Sequence, residues 1–434
     1  VKHEEVILLL KSEVKPALGC TEPAAVALAA ARAARLLGGR IDRVEVEVSG
    51  NIFKNALAVA IPPTGRPGLK LAAALGALSG EPQKGLSVFD GISDGEVAGA
   101  GAFVAAGRIA IAVDRQRNGV YIKARVRGDR GSAEVLVAGG HTNVVSAVLN
   151  GSPVPVDRQS NGSGCGVAVD VTGYTFRQFV QAIEEIPLEA VSFLQDGVDM
   201  NRRISQKGLE LKPGLGVGAA LKGLADSGAV ADDVVCRARV AVAAACDARM
   251  AGLGYPVMST MGSGNQGLAS TLPLVVVAGE LDAPRERLLR ALALSHLVTA
   301  FVKQHTGILS PVCGCAVAAG AGAAAAIAWL MGGGLAAVEG AVKNIIGNTA
   351  GMICDGAKGG CSLKLSTAAA EAIISAQLAR HGVVIGCTDG IISGSVEDTI
   401  RNLGRLSWPG MAGVEEAIVD IMSHKSGQEC KGEL

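Results

Sequence analysis

Aromatic residues make up only 3% of this 434-residue chain, too few to build stacking platforms for nucleic-acid bases. Net charge is missing as well, because forty lysines and arginines balance forty aspartates and glutamates. Without a basic excess there is no electrostatic footprint for nucleic acid or for an anionic membrane surface. Neither is expected as a partner. The opening residues lack a leader pattern: Val1-Lys2-His3-Glu4-Glu5 runs into Val6–Leu10, an apolar stretch too short for a secretory signal and without a cleavage site. A cytoplasmic location is therefore expected, where closely spaced cysteines serve as ligands or nucleophiles and not as disulfides. Charge also disappears locally, from Gln304 to Val338, over more than the ~20 residues that span a bilayer. That stretch contains His305, Pro311, two cysteines, many glycines and mostly alanine, a composition that suits a buried helix of a soluble bundle better than a lipid-facing span.

What is abundant is glycine, 59 residues, roughly twice the usual share of about 7%. Close helix packing and backbone-lined sites are expected from it. The length is ample for two or three domains. In the first part the patterns alternate. Pro23–Leu37 is an alanine-rich helix, while Ile41–Ser49, Gly119–Val126 and Ala133–Val137 have strand periodicity. After a helical stretch near Phe176–Met200, the pattern past Asn201 is almost entirely helical, with helices near Gly214–Ser227, Asp232–Gly252, Pro284–His305, Cys315–Met331, Leu335–Asn344 and Ser366–His381. The expected class is α+β. An N-terminal α/β domain with a mixed or antiparallel sheet (residues 1–200) precedes an all-α bundle (residues 201–434) that carries the chemistry.

Four of the ten cysteines sit in two tight groups, Cys313-Gly-Cys315 and Cys354-Asp-Gly-Ala-Lys-Gly-Gly-Cys361. Soft thiolates so grouped hold zinc or an iron–sulfur cluster. A closed zinc site prefers shorter spacing than the six residues between Cys354 and Cys361, and plain core burial also stays open. Cys20 stands apart. Thr21 is a good N-cap, with Glu22 and Pro23 in the first turn, so Cys20 falls beside the positive end of a helix, where a thiol becomes a base or nucleophile near neutral pH. Three polar islands interrupt apolar text. Gly140-His141-Thr142-Asn143 follows a strand; Met261-Gly-Ser263-Gly-Asn265-Gln266-Gly267 could cradle a carboxylate on its N–H groups; and Lys303-Gln304-His305-Thr306-Gly307 closes a helix.

Taken in order, Leu18-Gly-Cys-Thr-Glu-Pro23, His141-Thr-Asn143, Gly262-Ser-Gly-Asn-Gln-Gly267, Ser310-Pro-Val-Cys-Gly-Cys-Ala-Val-Ala-Ala-Gly320 and Gly351-Met-Ile-Cys-Asp-Gly-Ala-Lys-Gly-Gly-Cys361 resemble the L-cysteine desulfidase family. That family is similar in turn to the iron–sulfur L-serine dehydratases. The resemblance covers nearly the whole chain. It implies a lyase that converts L-cysteine to pyruvate, ammonia and hydrogen sulfide, with a [4Fe–4S] cluster on three cysteines and one iron open to a small amino-acid substrate. By the resemblance Cys354, Cys361 and Cys315 are the ligands, with Cys313 the alternative to Cys315, and Cys20 is the base that abstracts the α-proton. His141 joins Cys20 as a catalytic candidate. Thr21, Glu22, Thr142, Asn143, Ser263, Asn265, Gln266 and His305 are candidates for substrate contact. A homodimer is a further expectation from the poorly charged helices.

Some dehydratases of this type end in a cysteine that returns to the cluster. Here Cys430 precedes a charged end, Lys431-Gly-Glu-Leu434, and is expected in a mobile tail. Alternative readings are an L-serine dehydratase with the same cluster, a pyridoxal-phosphate lyase using Lys222 in Ala219-Ala-Leu-Lys-Gly, and a non-catalytic iron–sulfur or thiol sensor.

Overall fold

The structure, a computed structural model, describes residues 3–62, 64–156 and 169–425; the Ser160-Asn-Gly-Ser-Gly164 loop and Cys430 lie outside them. The chain divides into two compact units, each assembled from separate stretches. One comprises Cys20–Gly166, Asp355–Lys358 and Pro409–Leu434, and the other Val1–Gly19, Val167–Cys354 and Gly359–Trp408.

The first unit is built on a six-stranded mixed sheet in the order Ile109–Asp114, Ile41–Ser49, Tyr121–Gly128, Gly131–Ala138, Val144–Leu149, Ser152–Val154. Only the first pair is parallel. Alternation sorts the faces: Val44, Val46 and Val48 are buried with Ile122, Ala124 and Val126, while the register sets Glu45 opposite Arg125 and Glu47 opposite Lys123. Helix Thr21–Leu37 packs on the strands of the buried face. Its alanines let helix Leu69–Ser79 come so close that a Cβ on Gly76 would lie 2.1 Å from the Ala27 carbonyl oxygen. The last helix, Ala412–Lys425, is held by a buried ion pair: Lys54 Nζ, on helix Gly50–Leu57, lies 2.7 Å from Glu415 Oε2, and Asn51 donates to Glu415 Oε1 at 2.6 Å.

The second unit is helical, as its sequence implies, and the class is α+β. Helices Val234–Met250, Gly264–Glu280, Arg285–Thr306, Ala319–Leu330, Leu335–Thr349 and Cys361–Arg380 pack on one another through alanine-lined faces. One departure is a two-stranded ribbon, Val14–Ala17 antiparallel to Val257–Thr260. Four residues are too few to display a period, so this pairing left no readable pattern. Among the described residues no helix is long and apolar enough to cross a membrane.

Within this bundle His296 is buried, with Nδ1 2.7 Å from Thr260 Oγ1. Burial lowers its pKa to about 4. Because the unfolded imidazole titrates near 6.5, the unfolded chain binds more protons between those values, so stability is lost as pH falls through that window. The loss from this group reaches at most about 3 kcal/mol. Chemical denaturation of wild type and His296→Gln at pH 7.5 and pH 4.5 checks this: the variant should lose less on acidification.

Candidate active site

The cysteine groups converge within the helical unit for a backbone reason. Residues 311–313 and 352–354 pair like short antiparallel strands, with Cys313 N–H donating to the Met352 carbonyl at 2.8 Å and Cys354 N–H to the Pro311 carbonyl at 2.6 Å. A bridge between Val312 and Ile353 lies between them. Cys315 is not the residue before the alanine-rich helix, as its sequence position suggests, but sits inside a π-turn, Gly314–Ala318, that feeds helix Ala319–Leu330. Such turns widen the helix and re-aim a side chain. Cys361 is the first residue of helix Cys361–Arg380. That end is fixed by Ser362, whose hydroxyl donates to Asp247 at 2.6 Å, while Asp247 also accepts from Gly218 N–H at 2.9 Å. Asp247 was not legible as a site residue.

Electrostatics register the convergence. The Cys315 thiol pKa is pushed up, first by its hydrogen bond with Cys313, then by burial and by the negative charge of Cys313, Cys361 and Cys354. Cys313 is pulled down by the same hydrogen bond. Cys246, fully buried, is raised by burial and by Cys361. No described cysteine is in a disulfide.

Beside the doublet stand two side chains that approach the bare Cα of Gly314. A Cβ there would lie 2.8 Å from Gln266 Nε2 and 3.3 Å from Lys303 Nζ. Lys303 is 1% exposed, and its Nζ lies 3.4 Å from Ser310 Oγ. Gln266 is buried, and its Oε1 has no hydrogen-bond partner among the described residues. Ser263 caps helix Gly264–Glu280, accepting from Gln266 N–H. Asn265 accepts a hydrogen bond from the buried guanidinium of Arg249 at 2.9 Å, and Arg249 also donates to the Gly19 carbonyl at 2.7 Å. Arg249 was not singled out from the sequence, and Lys303 was named only within the island that closes its helix; burial of a lysine or arginine leaves no mark on periodicity.

In the sheet-bearing unit, Cys20 itself occupies the N-cap position of helix Thr21–Leu37, so Thr21 is the first helical residue and not the cap. The Cys20 thiol donates to Glu22 Oε2 at 3.1 Å, as does the Thr21 hydroxyl. Glu22 Oε1 stands 3.9 Å from Nε2 of His141. All three of Cys20, Glu22 and His141 are buried, and burial lowers the His141 pKa against the opposing pull of Glu22. The thiol is hydrogen-bonded to the carboxylate, while the imidazole Nε2, 3.9 Å from it, is buried with no hydrogen-bond partner among the described residues. Asn143 turns back on its own loop, donating to the Ala138 carbonyl at 2.9 Å. Thr142 lines a cavity at the other end of this helix.

His305 is placed differently. Its ring packs 4.8 Å from Phe301, its Nε2 is buried without a hydrogen-bond partner among the described residues, and burial lowers its pKa. Lys222 stands exposed and ion-paired with Asp226 at 2.8 Å, without the enclosure that a Schiff-base lysine needs.

Whether the residues fit an iron–sulfur cluster is decided by the donors. Among the described residues no three His, Cys, Asp or Glu side chains stand close enough to hold a single metal ion. A four-iron cube spreads its thiolates more widely than one ion does, and the donors here are thiols that feel one another's charge, the soft set such a cube takes. The set fits.

Comparison with known proteins points the same way. Residues 83–420 match the model of the serine dehydratase alpha chain family. A UPF0597 protein of Desulforapulum autotrophicum is 46% identical over 427 residues, covering 96% of this chain and 97% of its own. A UPF0597 protein of Clostridioides difficile is 43% identical over 420 residues, covering 96% and 98%, and one of Clostridium botulinum is 39% identical over 419, covering 96% of each. With its thiols, its polar loops and nearly its whole length accounted for, the chain belongs to the serine dehydratase alpha chain family, whose members are iron–sulfur lyases.

Proposed function

We propose that this protein is an iron–sulfur lyase that eliminates hydrogen sulfide from L-cysteine, leaving pyruvate and ammonia after hydrolysis of the imine. The observation that carries the reading is the pairing of 311–313 with 352–354, which gathers Cys313, Cys315 and Cys354 beside Lys303 and Gln266. Cys315, Cys354 and Cys361 hold the cluster, with Cys313 the neighbour that is hydrogen-bonded to Cys315 in the absence of the cluster. When bound, a [4Fe–4S] cluster with one open iron supplies a Lewis acid for the substrate.

The remaining roles belong to side chains. Lys303 Nζ and Gln266 Nε2 are donors suited to the α-carboxylate, and the unpartnered Gln266 Oε1 is an acceptor suited to the ammonium. An amino acid offers both groups at once. Ser263 fixes Gln266 by capping its helix, and Arg249 fixes Asn265. Cys20 takes the α-proton, with Glu22 and the neutral His141 accepting it onward. Thr21 orients Glu22.

A second reading, L-serine as substrate, is favoured by the family description. The two reactions share every step but the leaving group. Anaerobic reconstitution with iron and sulfide, followed by parallel assays, separates them. Sulfide together with pyruvate from L-cysteine supports the first reading. Pyruvate from L-serine alone replaces it with the second, and no pyruvate from either removes both.

A further inference from the structure

Strand Ile109–Asp114 forms one edge of the six-stranded sheet, and it lacks the devices that keep an edge from pairing. Proteins blunt edge strands with proline, charge, bulges or short length. The opposite edge, Ser152–Val154, is three residues long and carries Pro153. From Ile109 to Val113 the sequence is Ile-Ala-Ile-Ala-Val, in unbroken register with Ile41–Ser49; Ala112 is exposed, and Ile111 and Val113 are half-buried. Val44 N–H donates to the Arg108 carbonyl at 2.9 Å. By strand alternation the backbone groups of Ala110 and Ala112 also face that neighbour, while those of Ile109, Ile111 and Val113 point off the edge. Among the described residues no backbone hydrogen bond takes up those three. Helix Asp94–Ala105 runs into this strand through Ala106 and Gly107. It carries no charge after Glu96, yet only Ala100 and Phe103 of it are buried, and Ala98, Ala102 and Ala105 share an exposed face. Uncharged exposed surface of this kind, beside a bare strand edge, suits a protein partner.

We propose that this edge is where a second copy of the chain docks, its own Ile109–Asp114 running antiparallel across a two-fold axis at Ile111. Regular pairing matches outward-pointing residues with one another, so the possible registers differ in steps of two. The one centred on Ile111 sets Ile109 opposite Val113 and Arg108 opposite Asp114 of the second copy. The symmetry repeats each contact, giving two opposite-charge pairs per dimer. The neighbouring registers set Arg108 opposite Ala112, or Asp114 opposite Ala110, and lose both pairs. Charge therefore selects the central one. Arg108 is exposed, its guanidinium 5.4 Å above the Phe103 ring. Asp114 accepts from Gln116 N–H at 2.9 Å and lies 3.6 Å from Arg117 Nε, beyond hydrogen-bonding distance, so its carboxylate has room for another cation.

The test is sedimentation velocity on the full chain at micromolar concentration, for wild type, Arg108→Asp, Asp114→Arg and the double exchange. Within one chain positions 108 and 114 are about 20 Å apart along the strand, so they restore one another only across an interface. Wild type should be a dimer, each single reversal should weaken it by about tenfold with the melting temperature of Arg108→Asp unchanged, and the exchange should recover wild-type affinity. Ile111→Pro, which removes an outward N–H and leaves the ladder on the other side intact, should also yield monomer and keeps the test open if Asp114→Arg fails to fold. A monomeric wild type overturns the proposal. So does a dimer that survives Arg108→Asp and Ile111→Pro, which would place the contact elsewhere. An exchange variant no tighter than the single reversals overturns the register.

Discussion

A Cys20→Ala protein is expected to fold and to take up iron as wild type does, yet to turn over about 10²- to 10⁴-fold more slowly, the usual contribution of a positioned proton acceptor. Its thiol donates to Glu22 at 3.1 Å, and the carboxylate is in turn 3.9 Å from His141. Removing the thiol leaves the proposed ligand cysteines in place, since Cys315, Cys354 and Cys361 belong to the other unit. The checks are kcat on reconstituted protein and iron content on the same sample. Glu22→Gln should lower kcat as well, because an amide cannot receive the proton. Unaltered kcat in Cys20→Ala would remove this residue from the mechanism.

The second large effect is expected at Lys303. Its ammonium is buried at 1% exposure beside Gly314, between the two cysteines of the doublet. Methionine has similar length and no charge, so Lys303→Met removes the donor while filling the space. Truncating one side of a buried, hydrogen-bonded charge pair costs about 2–5 kcal/mol, or roughly 30- to 4,000-fold in kcat/KM. A carboxylate-binding role predicts that KM takes much of that loss, and that affinity for amino-acid analogues lacking the carboxylate stays as in wild type. A purely structural role predicts a lower melting temperature with KM unmoved. Steady-state kinetics and thermal denaturation of one preparation tell these apart.

The parts of this protein that could be read from sequence are those in which one residue type repeats with a period. The alanines of Thr21–Leu37 and the valines of Ile41–Ser49 reveal a helix and a strand nearly to their ends. Strand Ile109–Asp114 was not legible, because its alternation is between isoleucine and alanine and both are apolar. Helix Asp94–Ala105 hides behind three glycines, although Ser93 and Glu96 form the capping box that starts it. The cysteine spacing announced a soft-metal site, but spacing alone could not show that backbone pairing at Val312 and Ile353 would set Cys313 and Cys354 side by side. Nor could it reveal the π-turn around Cys315. Arg249 and Lys303 take their meaning only from the groups that the fold puts next to them.

The central claim is that three cysteines hold a four-iron cluster and leave one iron for substrate. Mössbauer spectroscopy of ⁵⁷Fe-reconstituted protein, with and without L-cysteine or L-serine, tests it most directly. The account predicts that one iron in four differs from the others and that its signal alone shifts when the substrate amino acid is added. Four equivalent irons, unmoved by either amino acid, would contradict it.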